Sequence, residues 1–217
     1  MVFSGIPFLF FFLPISLVLY YIVPFKAKNH VLLIASLIFY AWGEPVYILL
    51  MIFSTFVSYM GGVLYLKDPK RKKLYTLLSV AVNLFLLGFF KYANLFISTI
   101  SSVTGADITA LNLLLPIGIS FYTFQTISYN IDVYRGNVPP ERNFLTLMTY
   151  VCMFPQLIAG PIVRYETVME EMKCRKITFD GFSDGMIIFL HGLFKKVLLA
   201  NTIGELFKSK SITIFRH

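Results

Sequence analysis

Apolar residues run through this chain in long blocks, and short polar stretches cut the blocks apart. Ile6–Val23 is the first block. Val31–Trp42 follows, is broken by Gly43-Glu44-Pro45, and resumes as Val46–Leu66. Leu74–Phe90 is a further block, and Leu113–Val133 is another. Phe144–Ile162 is apolar but carries Pro155 and the Gly160-Pro161 pair, and Met186–Ala200 is interrupted by His191, Lys195 and Lys196. A helix needs about 20 apolar residues to cross a bilayer. The pattern therefore predicts an all-α, polytopic integral membrane protein with about six to eight membrane-embedded helices in one domain over residues 1–217. The 31–66 stretch reads as two spans joined by a tight turn, or as one span plus an interfacial piece. The polar stretch 91–112 reads as a loop with a short surface helix, and 164–181 is polar and mixed in charge.

Composition agrees with the blocks. The chain is 57% hydrophobic and 14% charged, with mean hydropathy +0.74, against roughly 45–50% apolar and 25% charged residues in soluble domains. The net charge of +8 sits in short clusters between the blocks rather than on a polar face, which argues against a nucleic-acid partner. "KDPKRKK" at 67–73 is the densest cluster, and Lys26 and Lys28 form another. The positive-inside rule places the basic loops in the cytoplasm and the N-terminus outside. No Lys or Arg precedes the first block and no small-residue cleavage site follows it, so Ile6–Val23 reads as a retained span rather than a signal peptide. Cys152 and Cys174 form no CxxC pair and have no nearby histidine, so no metal site is expected.

The stretch "LLLPIGISFYTFQTISYNIDVYRG" (113–136) is long enough for lipid yet rich in groups that lipid penalises. On a helix, Tyr122, Gln125, Tyr129 and Asp132 fall on one stripe, while Ile117, Phe121, Phe124, Ile127 and Ile131 fall opposite. An ionisable residue at the centre of a membrane helix costs about 3 kcal/mol on insertion scales, so the stripe should face the protein interior or a water-filled cavity. Interhelical packing and a substrate-lining role both fit the spacing. Asp132 and Arg135, three apart, are placed to pair. Pro116-Ile117-Gly118 permits a kink or half-helix.

"MFPQLIAGPIVRYETV" (153–168) breaks an apolar run with two prolines and a glycine. Gln156 and Arg164 flank the break. Arg164 could bind carboxylate or phosphate groups, or reach towards lipid headgroups. His191 and Lys195, four apart, share a helix face; His191 could act as a base or serve as a polar helix contact. No Walker loop, GxGxxG, HExxH or GxSxG motif is present, and no nucleophile–base pair is recognisable.

These stretches, with "MVFSGIPFLFFFLPI", "LLIASLIFYAW", "GFFKYANLF", "FPQLIAGPIVR" and "GLFKKVLLAN", resemble the membrane-bound O-acyltransferase family in order and spacing. The likeness is greatest to the bacterial alginate and peptidoglycan O-acetylation proteins and covers nearly the whole chain. It implies a multi-helix enzyme around a tunnel through the membrane. It implies acetyl transfer from a donor such as acetyl-CoA or another acyl thioester, with no bound cofactor, to a polysaccharide acceptor, by way of an extracytoplasmic acetyltransferase partner. It assigns tunnel-lining or structural roles to Tyr122, Gln125, Tyr129, Asp132, Arg135, Gln156 and Arg164. The family's histidine lies in a Trp-His-Gly-type stretch that is missing here, since the only Trp is Trp42. The chain is therefore expected to be the N-terminal portion of such an enzyme, lacking the catalytic part and inactive alone. A membrane transporter is the alternative, for which broken helices and polar stripes also suffice.

Overall fold

The computed structural model describes residues 3–104, 115–157, 161–175 and 177–204. Among them every regular element is a helix. A π-helical turn at Phe8–Phe12 leads into α1, Leu13–Ile22. Then follow α2 Lys28–Gly43, α3 Ile48–Lys67, α4 Lys72–Thr104 and α5 Ile119–Arg135. The series closes with α6 Phe144–Cys152, α7 Phe154–Leu157, α8 Tyr165–Cys174 and α9 Phe179–Phe194, the last continuing into a π-helical segment, Lys195–Asn201. Among the described residues three helices are long and apolar enough to cross a membrane: Ile48–Lys67, Pro69–Thr99 and Phe179–Gly204. Phe8–Ile22 is apolar but shorter.

The chain divides into two compact units, residues 16–173 and the two ends beyond them. In the larger unit α3 and α4 pack side by side, α5 lies against both, and α6 joins α2, α3 and α5. Helices α3 and α4 sort their side chains unlike those of a soluble bundle. Ser54, Thr55, Ser58, Ser79 and Asn83 are buried, whereas Leu49, Phe53, Phe56, Leu77, Leu84, Phe85 and Phe89 on the same two helices are exposed. That sorting suits a lipid surround, where apolar groups face outward at no cost and polar groups pair inside. Gly61 and Gly62 allow the close approach. A Cβ on Gly61 would come within 3.1 Å of Ser79 Cβ, and one on Gly62 within 3.2 Å of the Tyr129 hydroxyl.

In the smaller unit, Phe8 is buried and stacks on Phe12. The Thr178 hydroxyl caps α9 by accepting from Gly181 N at 3.1 Å. Helix α9 and its π continuation bury none of their residues.

Two boundaries differ from the sequence pattern. The 91–112 stretch is not a loop over its first half, because α4 continues to Thr104. Its polar residues do not break the helix. Ser98, Thr99 and Ser102 each donate a hydroxyl to a carbonyl three or four residues back, at 2.8–2.9 Å, a local pairing that a helix accommodates. Residues 105–112 lie outside the described set. Leu113–Val133 is not one long span: among the described residues the helix starts at Ile119, after a turn closed by Ile119 N donating to Pro116 O at 3.2 Å. Helical structure runs unbroken through Lys195 and Lys196, from Phe179 to Gly204.

Candidate functional site

Helix α5 organises the interior. At 3.6 residues per turn, Tyr122, Gln125, Tyr129 and Asp132 form one strip of its surface and Thr123, Thr126 and Asn130 the adjoining one. All seven are buried. Phe124 and Ile131, on the opposite side, are exposed, and Phe121 and Ile127 lie between these extremes. Half of the helix circumference is thus a buried, largely polar wall, as the stripe requires.

The second strip was not singled out by sequence, and it makes the denser network. Asn83 Nδ2 on α4 donates to Ser58 Oγ on α3 at 3.1 Å and to Ser79 O at 2.9 Å. Ser54 Oγ donates to Asn83 Oδ1. From α5, Asn130 Nδ2 donates to Ser58 Oγ at 3.1 Å and Ser79 Oγ at 2.9 Å, and Thr126 Oγ1 approaches Asn83 Oδ1 at 3.5 Å. The signal was present as three polar pairs, each four residues apart: Ser54/Ser58, Ser79/Asn83 and Thr126/Asn130. Each pair sits on one helix face. Only the packing shows that the three faces meet.

The first strip changes character along its length. Towards the C-terminal end the protein supplies partners. Tyr129 Oη accepts from Glu141 N at 2.8 Å. Asp132 Oδ1 accepts from Asn137 Nδ2 at 3.1 Å. The expected Asp132–Arg135 pair does not form; among the described residues the ion pair is Arg71–Asp68. The reason lies in the helix end. Gly136, at φ 82°, donates to Val133 O, and Asn137 N donates to Asp132 O at 3.0 Å, a Schellman closure. That turn brings the Asn137 amide over Asp132 and leaves Arg135 exposed. Towards the N-terminal end, Tyr122 Oη and Gln125 Oε1 are buried without a hydrogen-bond partner.

Gly118 opens α5 at φ 78°. Its backbone is left-handed, and a Cβ there would also lie 3.0 Å from Leu157 O, so glycine is needed twice over. The Tyr40 hydroxyl donates to Ile117 O in the same turn at 3.0 Å.

In the proline-broken stretch, backbone groups that the short helices leave free are taken up by side chains. Between α6 and α7 the Phe154 amide donates to Ser36 Oγ on α2 at 3.2 Å. Tyr150 O accepts Gln156 Nε2 at 2.7 Å instead. Gln156 therefore caps the break. Pro161, Ile162 and Arg164 are exposed; residues 158–160 lie outside the described set. Beyond the break, Tyr165 Oη donates to Glu141 Oε2 at 2.6 Å, and its ring meets those of Tyr129 and Tyr150 edge-on at 4.9 and 5.2 Å. Burial first, and the Glu141 hydrogen bond second, push the Tyr165 phenol well above its usual 10. The other Glu141 oxygen accepts from Arg142 N and Asn143 N, each at 2.9 Å. These ties clamp the 137–143 connection onto α5 and α8.

His191 and Lys195 are exposed. His30 is exposed as well, so the polar wall holds no histidine among the described residues; His217 is not among them. Nor do the described residues hold a group of three or more His, Cys, Asp or Glu side chains able to bind a metal. The wall offers neutral hydrogen-bonding groups and one carboxylate. It can bind and orient.

The fold and the wall define the chain as an all-α membrane protein with a polar interior built around α5. Over 210 residues, 94% of its length, it is 41% identical to the probable alginate O-acetylase AlgI of Pseudomonas putida. It is 40% identical over 213 residues to the probable alginate O-acetylase AlgI of Pseudomonas aeruginosa, and 33% identical over 228 to the peptidoglycan O-acetyltransferase of Helicobacter pylori, covering 95% and 89% of this chain. The chain spans about two fifths of the length of these relatives: 43%, 41% and 43%. No family model and no solved structure matches it. The chain is thus a relative, over nearly its whole length, of proteins named for glycan O-acetylation, as its resemblance to the membrane-bound O-acyltransferase family implies.

Proposed function

We propose that this chain forms part of a membrane-bound O-acetyltransferase that carries acetyl groups towards hydroxyls of an exopolysaccharide such as alginate, or of a cell-wall glycan. The observation that carries the proposal is the similarity to O-acetylases over 94% of the chain. The buried polar half of α5 supports it, because a path for a polar acyl donor through lipid needs a wall of hydrogen-bonding groups. The donor is acetyl-CoA or another acyl thioester, and the acetyl group passes to the glycan by way of an extracytoplasmic partner. Tyr122, Gln125, Tyr129 and Asp132 serve as wall, and Arg135 and Arg164, both exposed, as charged groups for the donor. A base acting on the acceptor hydroxyl comes from outside this wall. The protein sits in the bacterial inner membrane with its 67–73 loop cytoplasmic.

The test is a chimera. The segment of the Pseudomonas putida relative that matches this chain is replaced by the chain itself, in a strain lacking its own O-acetylase. Acetyl ester content of the secreted alginate is expected to return, while the 217-residue chain alone restores none. A chimera that reaches the membrane but leaves alginate unacetylated refutes the proposal. Solute uptake by vesicles carrying the chimera, without acetyl transfer, would establish the transporter reading instead. A cysteine placed in the 67–73 loop should be labelled only from the cytoplasmic side.

A further inference from the structure

We infer that Tyr122 and Gln125 form a two-point docking site for a neutral hydrogen-bonding group of a substrate. Both side chains are 1% exposed, and Tyr122 Oη and Gln125 Oε1 are the buried side-chain polar atoms of the described residues that have no partner. Elsewhere on the wall the partners are found: Tyr129 takes the Glu141 amide, Asp132 the Asn137 amide, Asn130 two serines and Thr126 the Thr123 carbonyl. The two unpartnered atoms are therefore not scattered. Their residues stand one helical turn apart on the same strip of α5, with Cβ atoms about 5–6 Å from each other.

A buried polar atom left unpaired lowers stability, and one in a native fold calls for an explanation. Phe in place of Tyr122 and Met in place of Gln125 would fill nearly the same volume without that cost. Keeping the hydroxyl and the amide at adjacent positions is the pattern expected where stability is given up for binding.

The pair also dictates the ligand. A hydroxyl can donate, and Gln125 Oε1 only accepts. Neither is charged, and no arginine or lysine shares their strip of α5. The matching group is neutral and offers a donor and an acceptor together: an amide or a hydroxyl. With the O-acetyl-transfer reading, on which this identification rests, two sources have that chemistry. One is the amide-bearing arm of the acyl thioester; the other is a hydroxyl of the acceptor sugar.

Thermal unfolding of the full chain in detergent, with S-acetylpantetheine or methyl mannoside added, separates them. Without ligand, Tyr122→Phe and Gln125→Met should each raise the Tm, by roughly 2–4 °C for a chain of this size. One of the two probes should raise the Tm of the native chain and not that of the double variant; which one it is identifies the source. In the acetylating chimera the double variant should lose roughly tenfold in rate, the worth of two hydrogen bonds to a ligand. A fall in Tm for either single variant overturns the inference, because the side chain then has a structural partner. So does a native chain that neither probe stabilises, or a double variant stabilised equally. A chimera that acetylates at full rate with both substitutions overturns this inference and leaves the proposed function standing. A native chimera without activity does the reverse.

Discussion

Removing Asn83 tests whether the polar network, rather than apolar packing, sets the register of α3, α4 and α5. Asn83 is 1% exposed and binds Ser54 and Ser58 on the neighbouring helix. Asn83→Ala deletes those two interhelical hydrogen bonds, each worth about 0.6 kcal/mol on average and up to about 1.7 inside a membrane. The serines left behind limit the damage. Ser58 Oγ already donates to Ser54 O at 3.2 Å, and a serine in a helix can turn to its own i−4 carbonyl. The expected cost is therefore about 1–2 kcal/mol from lost bonds, with a contribution from the smaller side chain in addition. The Tm of the detergent-solubilised chain, read by circular dichroism, should fall by roughly 2–8 °C. Asn130→Ala should cost a similar amount, since it too binds Ser58. Because the two asparagines share that serine, the double variant should fall short of additivity by about 0.5 kcal/mol or more. Two variants that each leave the Tm unchanged, or whose effects sum without interaction, would show that the network is incidental to the packing.

The two left-handed glycines should differ. At Gly136 a Cβ meets nothing within 4 Å, so Gly136→Ala costs only backbone strain, about 1 kcal/mol. Gly118→Ala adds a 3.0 Å contact with Leu157 O and should cost more; equal Tm losses would contradict the geometry. Tyr165→Phe bears on alkaline stability. The phenol is held protonated by burial and by Glu141, above its usual 10. Below pH 10 it is protonated whether folded or unfolded. Above pH 10 the unfolded chain loses the proton first, so stability falls as pH rises. The Phe variant should show a shallower decline above pH 10; an unchanged slope counts against the Tyr165–Glu141 contact.

Much of the architecture was legible because it follows from local chemistry. The blocks at 46–66 and 74–90 became α3 and the first part of α4, and Gly43-Glu44-Pro45 separated α2 from α3. The α5 stripe was legible because helical period alone sorts Tyr122, Gln125, Tyr129 and Asp132 onto one side. Polarity alone does not make a loop. Ser98, Thr99 and Ser102 are polar yet helical, since their hydroxyls bond within the helix. At Asp132 the spacing points to Arg135, but a glycine-closed helix end delivers Asn137.

Sequence by itself determined that the chain is helical, that it suits a membrane, and which side of α5 is polar. Those properties depend on residues a few positions apart and on the solvent around them. Tertiary structure alone decided which polar groups are paired. Ser58 meets Asn130 across 72 residues, and Ser36 meets Phe154 across 118. Hydrogen bonds act over about 3 Å, so no period along one helix can say which distant helix supplies the partner. The same packing left Tyr122 Oη and Gln125 Oε1 buried without partners, which the period of α5 could not foretell.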